Sequence, residues 1–316
     1  MMGKYVAAPS GWDGWRKEFA RISTIALLLA SSSEVLAQQP ARADAWRDVT
    51  SALGRAGAAQ PGGVMKYSFP RSDLTVVVGG VTLKPALALG SWVAFREVAP
   101  GMTMVMGDLV LTEDEVGPVM RTLQSGGVQQ TALHNHLLNE SPHVMYMHIA
   151  AFGDATRIAR TVHDALARSH TPIGTPAAAA PATNTLDTAA IARLLGRAGK
   201  LSGVVYQVAV ARSERITEEG HEVPPSMGVA TSINFQPTGG NRAAISGDFV
   251  LRDKEVNPVI KALLAHGIQP VAIHSHMLGE QPRLYFMHYW ADDDVTKLAT
   301  GLRAALDLTA SKKGGS

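Results

Sequence analysis

Leu133-His134-Asn135-His136-Leu137-Leu138-Asn139-Glu140-Ser141-Pro142 is a stretch that the chain contains twice. Its second version, 140 positions later, is Ile273-His274-Ser275-His276-Met277-Leu278-Gly279-Glu280-Gln281-Pro282. A Met-His pair follows each version, as Met147-His148 and as Met287-His288. Both copies therefore share the pattern H-x-H-x3-E-x-P…M-H, and the rest of the chain is organised around it.

The same spacing relates residues far outside these two stretches. Phe95, Gly107-Asp108 and the Glu-Val-x-Pro-Val run at residues 115–119 are matched by Phe235, Gly247-Asp248 and residues 255–259. The register holds without a gap from residue 95 to residue 166, a unit too long for a solenoid repeat. The sequence therefore predicts a tandem duplication of one domain.

Each copy combines strand patterns with helix patterns. In the first copy, Thr112 and Glu115 form a capping box that opens one helix, and Asp154 caps the next. Strand patterns surround these helices, at residues 102–111, 130–138 and 143–150. The order β-α-β-β-α is typical of a split β-α-β unit, in which an antiparallel sheet carries helices on one face. We predict an α+β fold of two homologous domains, packed together about a pseudo-two-fold axis.

Shifts in composition predict the domain boundaries. The two domains are expected at residues 41–166 and 186–308. Residues 167–185 are rich in Pro, Ala and Thr, as linkers are. Residues 309–316 are expected to form a flexible tail.

The first 37 residues have the pattern of a secretory signal peptide. Arg16, Lys17 and Arg21 form a basic n-region. A short apolar run follows at residues 22–30, and Val35-Leu36-Ala37 is an A-x-A-like cleavage site. The alternative is a buried or membrane-anchoring helix, although the run is short for a bilayer. With cleavage after Ala37, we expect a Sec-exported bacterial protein, periplasmic or secreted, without a stable membrane span.

Composition excludes several classes of function. The chain has 316 residues, of which 46% are hydrophobic and 18% are charged, as in globular proteins. A formal net charge of +2 is too small to indicate a nucleic-acid partner. The absence of cysteine rules out disulfides, thiolate nucleophiles and thiolate metal ligands. A metal site would have to use His, carboxylate or Met side chains.

The H-x-H pair predicts such a site. Residues i and i+2 of a strand point to the same face, so the two histidines of each copy project together. Two imidazoles and a nearby carboxylate suit a divalent metal such as Zn, Fe, Mn or Cu. The candidate ligands are His134, His136, Glu140, His148, His274, His276, Glu280 and His288.

Several readings stay open at this level. The sequence does not decide whether His148 and His288 lie on the same face of the sheet as the H-x-H pair, so each is either a ligand or a core residue. Asp108 and Asp248 are candidate acceptors for a ligand imidazole, although a turn or cap role is favoured. The alternating Met102, Met104 and Met106 suit copper, but core packing is favoured because the second copy lacks them. H-x-H-x3-E also matches the first cupin motif, without the second.

The repeated G-D…E-V-x-P-V…H-x-H…M-H pattern resembles the LppY/LpqO family of exported bacterial domains of unknown function. The resemblance covers nearly all of the predicted mature chain. It implies export but no activity. Some members are lipoproteins, and the absence of cysteine means that lipid anchoring does not carry over.

Three functions fit these patterns. The first is a metal-dependent enzyme whose metal activates water or dioxygen on a small molecule or envelope component. The second is a non-catalytic protein that binds a metal or small ligand, with copper handling as a special case. The third is a structural envelope protein whose histidines hydrogen-bond across a hairpin. Catalytic residues and oligomeric state are not predicted.

Overall fold

A computed structural model of the protein describes residues 46–174 and 183–312. The predicted signal peptide lies outside these residues, as do residues 175–182 of the predicted linker and residues 313–316 of the predicted tail. The described residues all belong to one compact unit. Within them, no helix is long and apolar enough to cross a membrane.

Each copy forms a six-stranded antiparallel sheet and a separate two-stranded ribbon. The first contains β1 (Ala58–Gln60), β2 (Val64–Pro70), β3 (Val77–Val78), β4 (Val81–Thr82), β5 (Gly90–Ala99), β6 (Met102–Thr112), β7 (Gln129–His134) and β8 (Val144–Gly153). Its helices are α1 (Arg47–Leu53), α2 (Pro85–Ala88), α3 (Glu113–Ser125) and α4 (Ala155–Leu166). The sheet order is β1-β2-β5-β6-β8-β7, and the ribbon is β3-β4.

The second copy repeats this plan. It contains α5 (Thr188–Leu195), β9 (Lys200–Ser202), β10 (Val205–Ala211), β11 (Thr217–Glu218), β12 (His221–Glu222), β13 (Ala230–Gly239), β14 (Arg242–Leu251), α6 (Asp253–Ala265), β15 (Gln269–His274), β16 (Tyr285–Asp294) and α7 (Val295–Leu306). Its sheet order is β9-β10-β13-β14-β16-β15, and a 3-10 turn at Pro225–Met227 replaces the short α2.

The closing half of each domain is a split β-α-β unit. Strand β8 lies between β6 and β7 and is antiparallel to both, so the two strands that α3 connects run parallel. The predicted capping box at Thr112 and Glu115 opens α3. The α+β prediction is confirmed, and the open sheets exclude the cupin alternative.

One face of each sheet packs on the helices of its own copy. In the first copy, Leu53 of α1, Leu123 of α3 and Val162 of α4 are fully buried against the sheet. The second copy buries Leu195, Leu263 and Leu302 in the same way. The apolar positions recur at helical spacing, as expected for helices with one buried face.

The other face of each sheet packs on the other copy. Two apolar clusters hold the sheets together: one places Met277 and Phe286 against Val64, and the other places Leu137 and Tyr146 against Val205. These two clusters are built from equivalent residues with the roles of the copies exchanged. The copies therefore pack about a pseudo-two-fold axis, as expected.

Hydrogen bonds between the copies obey the same symmetry. Arg96 donates to the carbonyl of Glu222 at 2.5 Å, and Gln236, at the position equivalent to Arg96, donates to the carbonyl of Thr82 at 2.9 Å.

A buried arginine closes each domain. Arg71 is fully buried and binds Glu115 at 2.7 Å, and Arg212 binds Glu255 at 2.7 Å. The amide of His170 and the equivalent amide of Ala310 then donate to these two glutamates. The predicted linker and the predicted tail therefore begin with residues that are hydrogen-bonded to the domain before them.

Candidate metal centre

The two histidine stretches meet between the sheets. The rings of His134 and His274 stack with their centroids 3.7 Å apart. His136 lies 3.6 Å from His288, and at the equivalent place His148 lies 3.8 Å from His276. The two predicted sites are therefore one cluster that both copies share.

The strands fix which face each histidine occupies. His148 pairs with Asp108 on one side and with Ala132 on the other, while His134 pairs with Tyr146. Directly paired residues point to the same face, so His148 joins His134. The equivalent pairings place His288 beside His274. The question that the sequence left open is thus answered: both later histidines face the cluster.

The predicted strand at residues 130–138 is too long. Strand β7 ends at His134, and β8 begins only at Val144, so His136 has no strand partner. In the loop that follows, the Asn135 side chain donates to the carbonyl of Leu137 at 2.8 Å. His134 and His136 still come together, with their ring centroids 5.0 Å apart, although not through strand alternation.

Aspartates supply the carboxylates of the cluster. Asp108 and Asp248 lie within strands and face the histidines, instead of forming the turns or caps that we expected. An oxygen of Asp248 is 3.0 Å from Nε2 of His276, and one of Asp108 is 3.7 Å from Nε2 of His136.

The two predicted glutamate ligands lie in the loops beside the cluster. Glu280 accepts hydrogen bonds from the amide of Leu284 at 2.9 Å and from Arg283 at 3.2 Å. Glu140 is buried, and its carboxylate lies 3.3 Å from Nε2 of His143. Among the described residues, the metal-binding groupings contain Asp108 and Asp248 and neither glutamate.

Six histidines and two aspartates could hold a metal ion. In each grouping, the candidate ligand atoms lie within 4.8 Å of one another. The groupings are His134–His136–His288, His134–His148–His274, Asp108–His136–His148 and Asp248–His274–His276. Two of these groupings mix the copies, whereas Asp108–His136–His148 belongs to the first copy and Asp248–His274–His276 to the second.

Unpaired buried atoms test whether these residues fit a metal. Nε2 of His134, His136, His148 and His288 and Oδ1 of both aspartates are buried without a hydrogen-bond partner. A buried polar atom left unpaired costs about 1–3 kcal/mol. A cation bound among these atoms would remove that cost, so the residues fit a metal.

Backbone carbonyls orient the histidine rings. Nδ1 of His288 donates to the carbonyl of Gly247 at 2.9 Å, and Nδ1 of His276 donates to that of Gly228 at 3.0 Å. The backbone of Gly107 bonds His148 in the equivalent way. Bonding at Nδ1 leaves the Nε2 lone pair directed into the cluster, as is usual for a metal-ligating histidine.

Burial disfavours the charged form of the three first-copy imidazoles. Burial, and then the neighbouring His288, lower the pKa of His134 to about 3. Burial and the adjacent histidines hold the pKa values of His136 and His148 well below the ordinary value. Neutral imidazole is the form that binds metals, so these rings need not lose a proton at neutral pH.

The pKa values of the two aspartates shift in opposite directions. Burial raises the pKa of Asp108 to about 7. Burial acts in the same sense on Asp248, but the nearby His288 and His276 outweigh it and lower the pKa of that carboxyl.

A cavity of about 1460 Å³ reaches the cluster from outside. The ligand residues that line it are Asp108, His136, His148, Asp248, His276 and His288. Lys66 and Trp92 also line it. Neither residue was predicted from the sequence, because both lie outside the pattern that the copies share: the second copy has Gln207 and Ser232 at these positions. The one indication in the sequence was the charged Lys66 within a strand of alternating pattern.

The methionines lie apart from the ligand groupings. Met104 and Met106 are buried in the apolar cluster between the sheets, and Met147 is buried beneath the helices. The favoured core role of Met104 and Met106 agrees with this packing.

Comparisons with solved structures give weak likenesses. One is to PduB, a trimeric bacterial microcompartment shell protein, at 10% identity over 78% of this chain and 87% of that chain, with a TM-score of 0.20. Another is to EtuB from Clostridium kluyveri, at 9% identity over 82% of this chain and 97% of that chain, also with a TM-score of 0.20. Neither supports an argument about fold or function.

Sequence comparison is more informative about the family. No curated protein matches the chain. Residues 47–168 and residues 189–308 each match the family described as Domain of Unknown Function (DUF1259). Because these segments cover well over half of the chain, the protein belongs to the DUF1259 family, of which it contains two tandem copies.

Proposed function

We propose that the protein binds a divalent transition metal at the interface of its two copies, and that the bound metal acts on a small molecule or envelope component. The unpaired nitrogen and oxygen atoms buried among the six histidines carry this proposal. Neutral imidazoles favour Zn, Fe, Mn or Cu over Mg or Ca, which prefer oxygen ligands.

The cavity supports a role for the metal in ligand chemistry. It brings small molecules to the cluster, where a bound metal would polarise an oxygen or activate water. Asp108 and His136 line the same cavity, so a small molecule there would lie beside the groups that hold the metal.

A non-catalytic metal-binding protein is the alternative. The number of histidines favours it, because catalytic zinc sites use three protein ligands whereas this cluster offers six imidazoles. A fully coordinated ion would have no position for substrate. Met104 and Met106 give no support to a copper-specific version, since they pack in an apolar cluster, and Met102 is exposed.

We further propose that the protein is an exported member of the LppY/LpqO family, periplasmic or secreted. The support is the signal-like sequence that ends at Ala37 and the Gly-Asp and H-x-H pattern. Secretion from the native bacterium, with a mature protein that begins at Gln38, is the expected result of cell fractionation and N-terminal sequencing.

Elemental analysis tests the metal. The untagged protein from Gln38 onward is compared with the double variant His134→Ala/His274→Ala and with His163→Ala, a histidine on α4 away from the cluster. We expect near-stoichiometric metal in the wild type and in His163→Ala, and its loss in the double variant. Equal metal in all three proteins, or no metal after reconstitution, would overturn the proposal.

A further inference from the structure

We propose that the cavity beside the metal centre binds a small organic anion, whose carboxylate is held by Lys66 over Trp92. This inference rests on the proposed function and narrows its ligand to one chemical class. It is carried by the position of one lysine, by the charges of the cavity wall and by a break in the symmetry between the two copies.

Lys66 lies on the face of the sheet that carries the metal ligands. Ser68, Trp92, Asp108 and His148 form one row of directly paired residues across β2, β5, β6 and β8. Lys66 is two positions before Ser68 and therefore points to the same face. Neighbouring strands are about 4.8 Å apart, so a lysine on β2 can reach over Trp92 towards Asp108.

The Lys66 ammonium rests on an aromatic ring. Its nitrogen is 3.8 Å from the centroid of the Trp92 ring, a cation–π contact. Within residues 46–174 and 183–312, no carboxylate lies within ion-pairing distance of this nitrogen. Asp108 lies farther away, but its charge still favours the ammonium form of Lys66, which burial disfavours. Without an ion pair at contact distance, this partly buried ammonium favours the approach of an anion.

The cavity wall carries charges of both signs. Its acidic residues, Asp108 and Asp248, lie at the metal end. Lys66 is near enough to Asp108 for their charges to interact, and the exposed Lys84 and Lys200 add positive charge elsewhere along the wall. Lys200 is near enough to oppose protonation of Lys66, so the two copies contribute cations to one space. An anionic ligand with a second polar group would bridge this region and the metal.

The second copy has no equivalent cation. Gln207 stands at the position of Lys66, and its side chain donates to the carbonyl of Ala86 at 2.9 Å. Ser232 replaces Trp92. The histidines and aspartates are shared by both copies, whereas the Lys–Trp pair is not. The pair therefore gives a nearly symmetric centre one preferred direction for its ligand.

Calorimetric titration tests the inference. The probes are succinate, inorganic phosphate and the uncharged succinamide, each titrated into metal-loaded and chelator-treated protein at low ionic strength. The variant Lys66→Gln installs the residue of the second copy, and Lys254→Gln removes an exposed lysine on α6 as a matched control.

We expect succinate to bind more tightly than succinamide. Lys66→Gln should weaken succinate binding by about tenfold or more, since it removes a charge-assisted hydrogen bond. Its metal content should match the wild type, and Lys254→Gln should behave as the wild type. Preferential binding of phosphate would identify a phosphorylated ligand instead of a carboxylate and overturn that assignment.

Three other results would overturn the inference: unchanged succinate affinity in Lys66→Gln, equal affinity for succinamide, or no anion binding to either form of the protein. A protein that holds no metal and yet binds succinate through Lys66 would refute the metal centre alone. The two proposals therefore fail separately.

Discussion

At the scale of single residues, the structure gives each residue of the repeated Gly-Asp pair a role at the metal centre. Gly247 provides the carbonyl that holds His288, and the next residue, Asp248, faces the cluster. A Cβ at Gly247 would lie 2.0 Å from the carbonyl oxygen of Ser232 and 2.4 Å from the hydroxyl of Tyr289. The glycine is therefore required for strand packing, and through that packing for the orientation of a metal ligand.

Gly247→Ala should destabilise the protein by about 1–3 kcal/mol, the usual cost of overpacking a core, and should weaken metal binding. Chemical denaturation and metal titration measure the two effects. Gly117→Ala, in α3 beside the flexible Arg121, is the control and should be neutral or slightly stabilising. Wild-type metal affinity in Gly247→Ala would show that the carbonyl is not a positioning group.

The lowered pKa of Glu115 predicts that the free energy of unfolding depends on pH in the acid range. Burial alone would raise its pKa, but hydrogen bonds from the His170 amide, Arg71 and the Thr112 amide lower it to about 2. The unfolded chain, whose glutamate has a pKa of about 4.5, therefore takes up the proton first. Stability from Glu115 is present above that pH and is lost as the pH falls from about 4.5 towards 2.

Urea denaturation at several pH values measures this loss. Glu115→Gln should be less stable than the wild type at pH 7, and the gap between the two proteins should narrow as the pH falls through this window. Parallel curves for wild type and variant would contradict the assignment.

At the scale of elements, the ribbons hold the histidine loops. The amide of Val77 in β3 donates to the carbonyl of Ser141 at 2.9 Å, and the amide of Thr217 in β11 donates to that of Gln281 at 2.8 Å. These bonds fix the loop that carries His136 and its equivalent that carries His276.

Val77→Pro removes one of these donors and should lower metal affinity about tenfold, the effect typical of losing an outer support of a ligand. Val77→Thr keeps the amide and should leave affinity unchanged. Metal titration followed by competition with a chelator distinguishes the two variants. Equal affinities would mean that the ribbon does not position the loop.

The sequence predicted the helices, the strands and the duplication better than it predicted how the two domains pack against each other. The spacing of 140 residues and the alternation along the strands predicted the duplication and the α+β class. The end of β7 at His134 was missed, because it depends on where β8 begins. The role of Asp108 was missed because local patterns cannot distinguish a carboxylate in a strand from one in a turn. Periodicity also carries no information on which faces of two domains dock.

At the scale of the whole molecule, the full set of six histidines and two aspartates forms only where the two copies meet, although each copy contains one grouping of its own. Each metal grouping that contains His288 or His274 together with His134 needs both copies. The apolar clusters that flank the centre are likewise shared. Separation of the copies would expose these apolar faces to water.

Residues 46–174 and residues 183–312, produced separately, should each self-associate and bind metal weakly. Mixing the two should restore both the one-to-one complex and its metal. Analytical ultracentrifugation with elemental analysis measures this. A monomeric single copy with the metal affinity of the whole chain would show that the centre does not depend on the interface.

The reciprocal contacts about the pseudo-two-fold axis have the form of a homodimer interface, in which the same patch meets itself. In a true homodimer, a change to one gene alters both halves of such a patch at once. A fused duplication removes that restriction, because each half is encoded separately. The pair of Tyr146 on His136 and Phe286 on His276 shows the result: one ring carries a hydroxyl and its partner does not. Covalent linkage thus lets one side of a symmetric assembly carry a polar group that the other side lacks, while both keep the same ring packing.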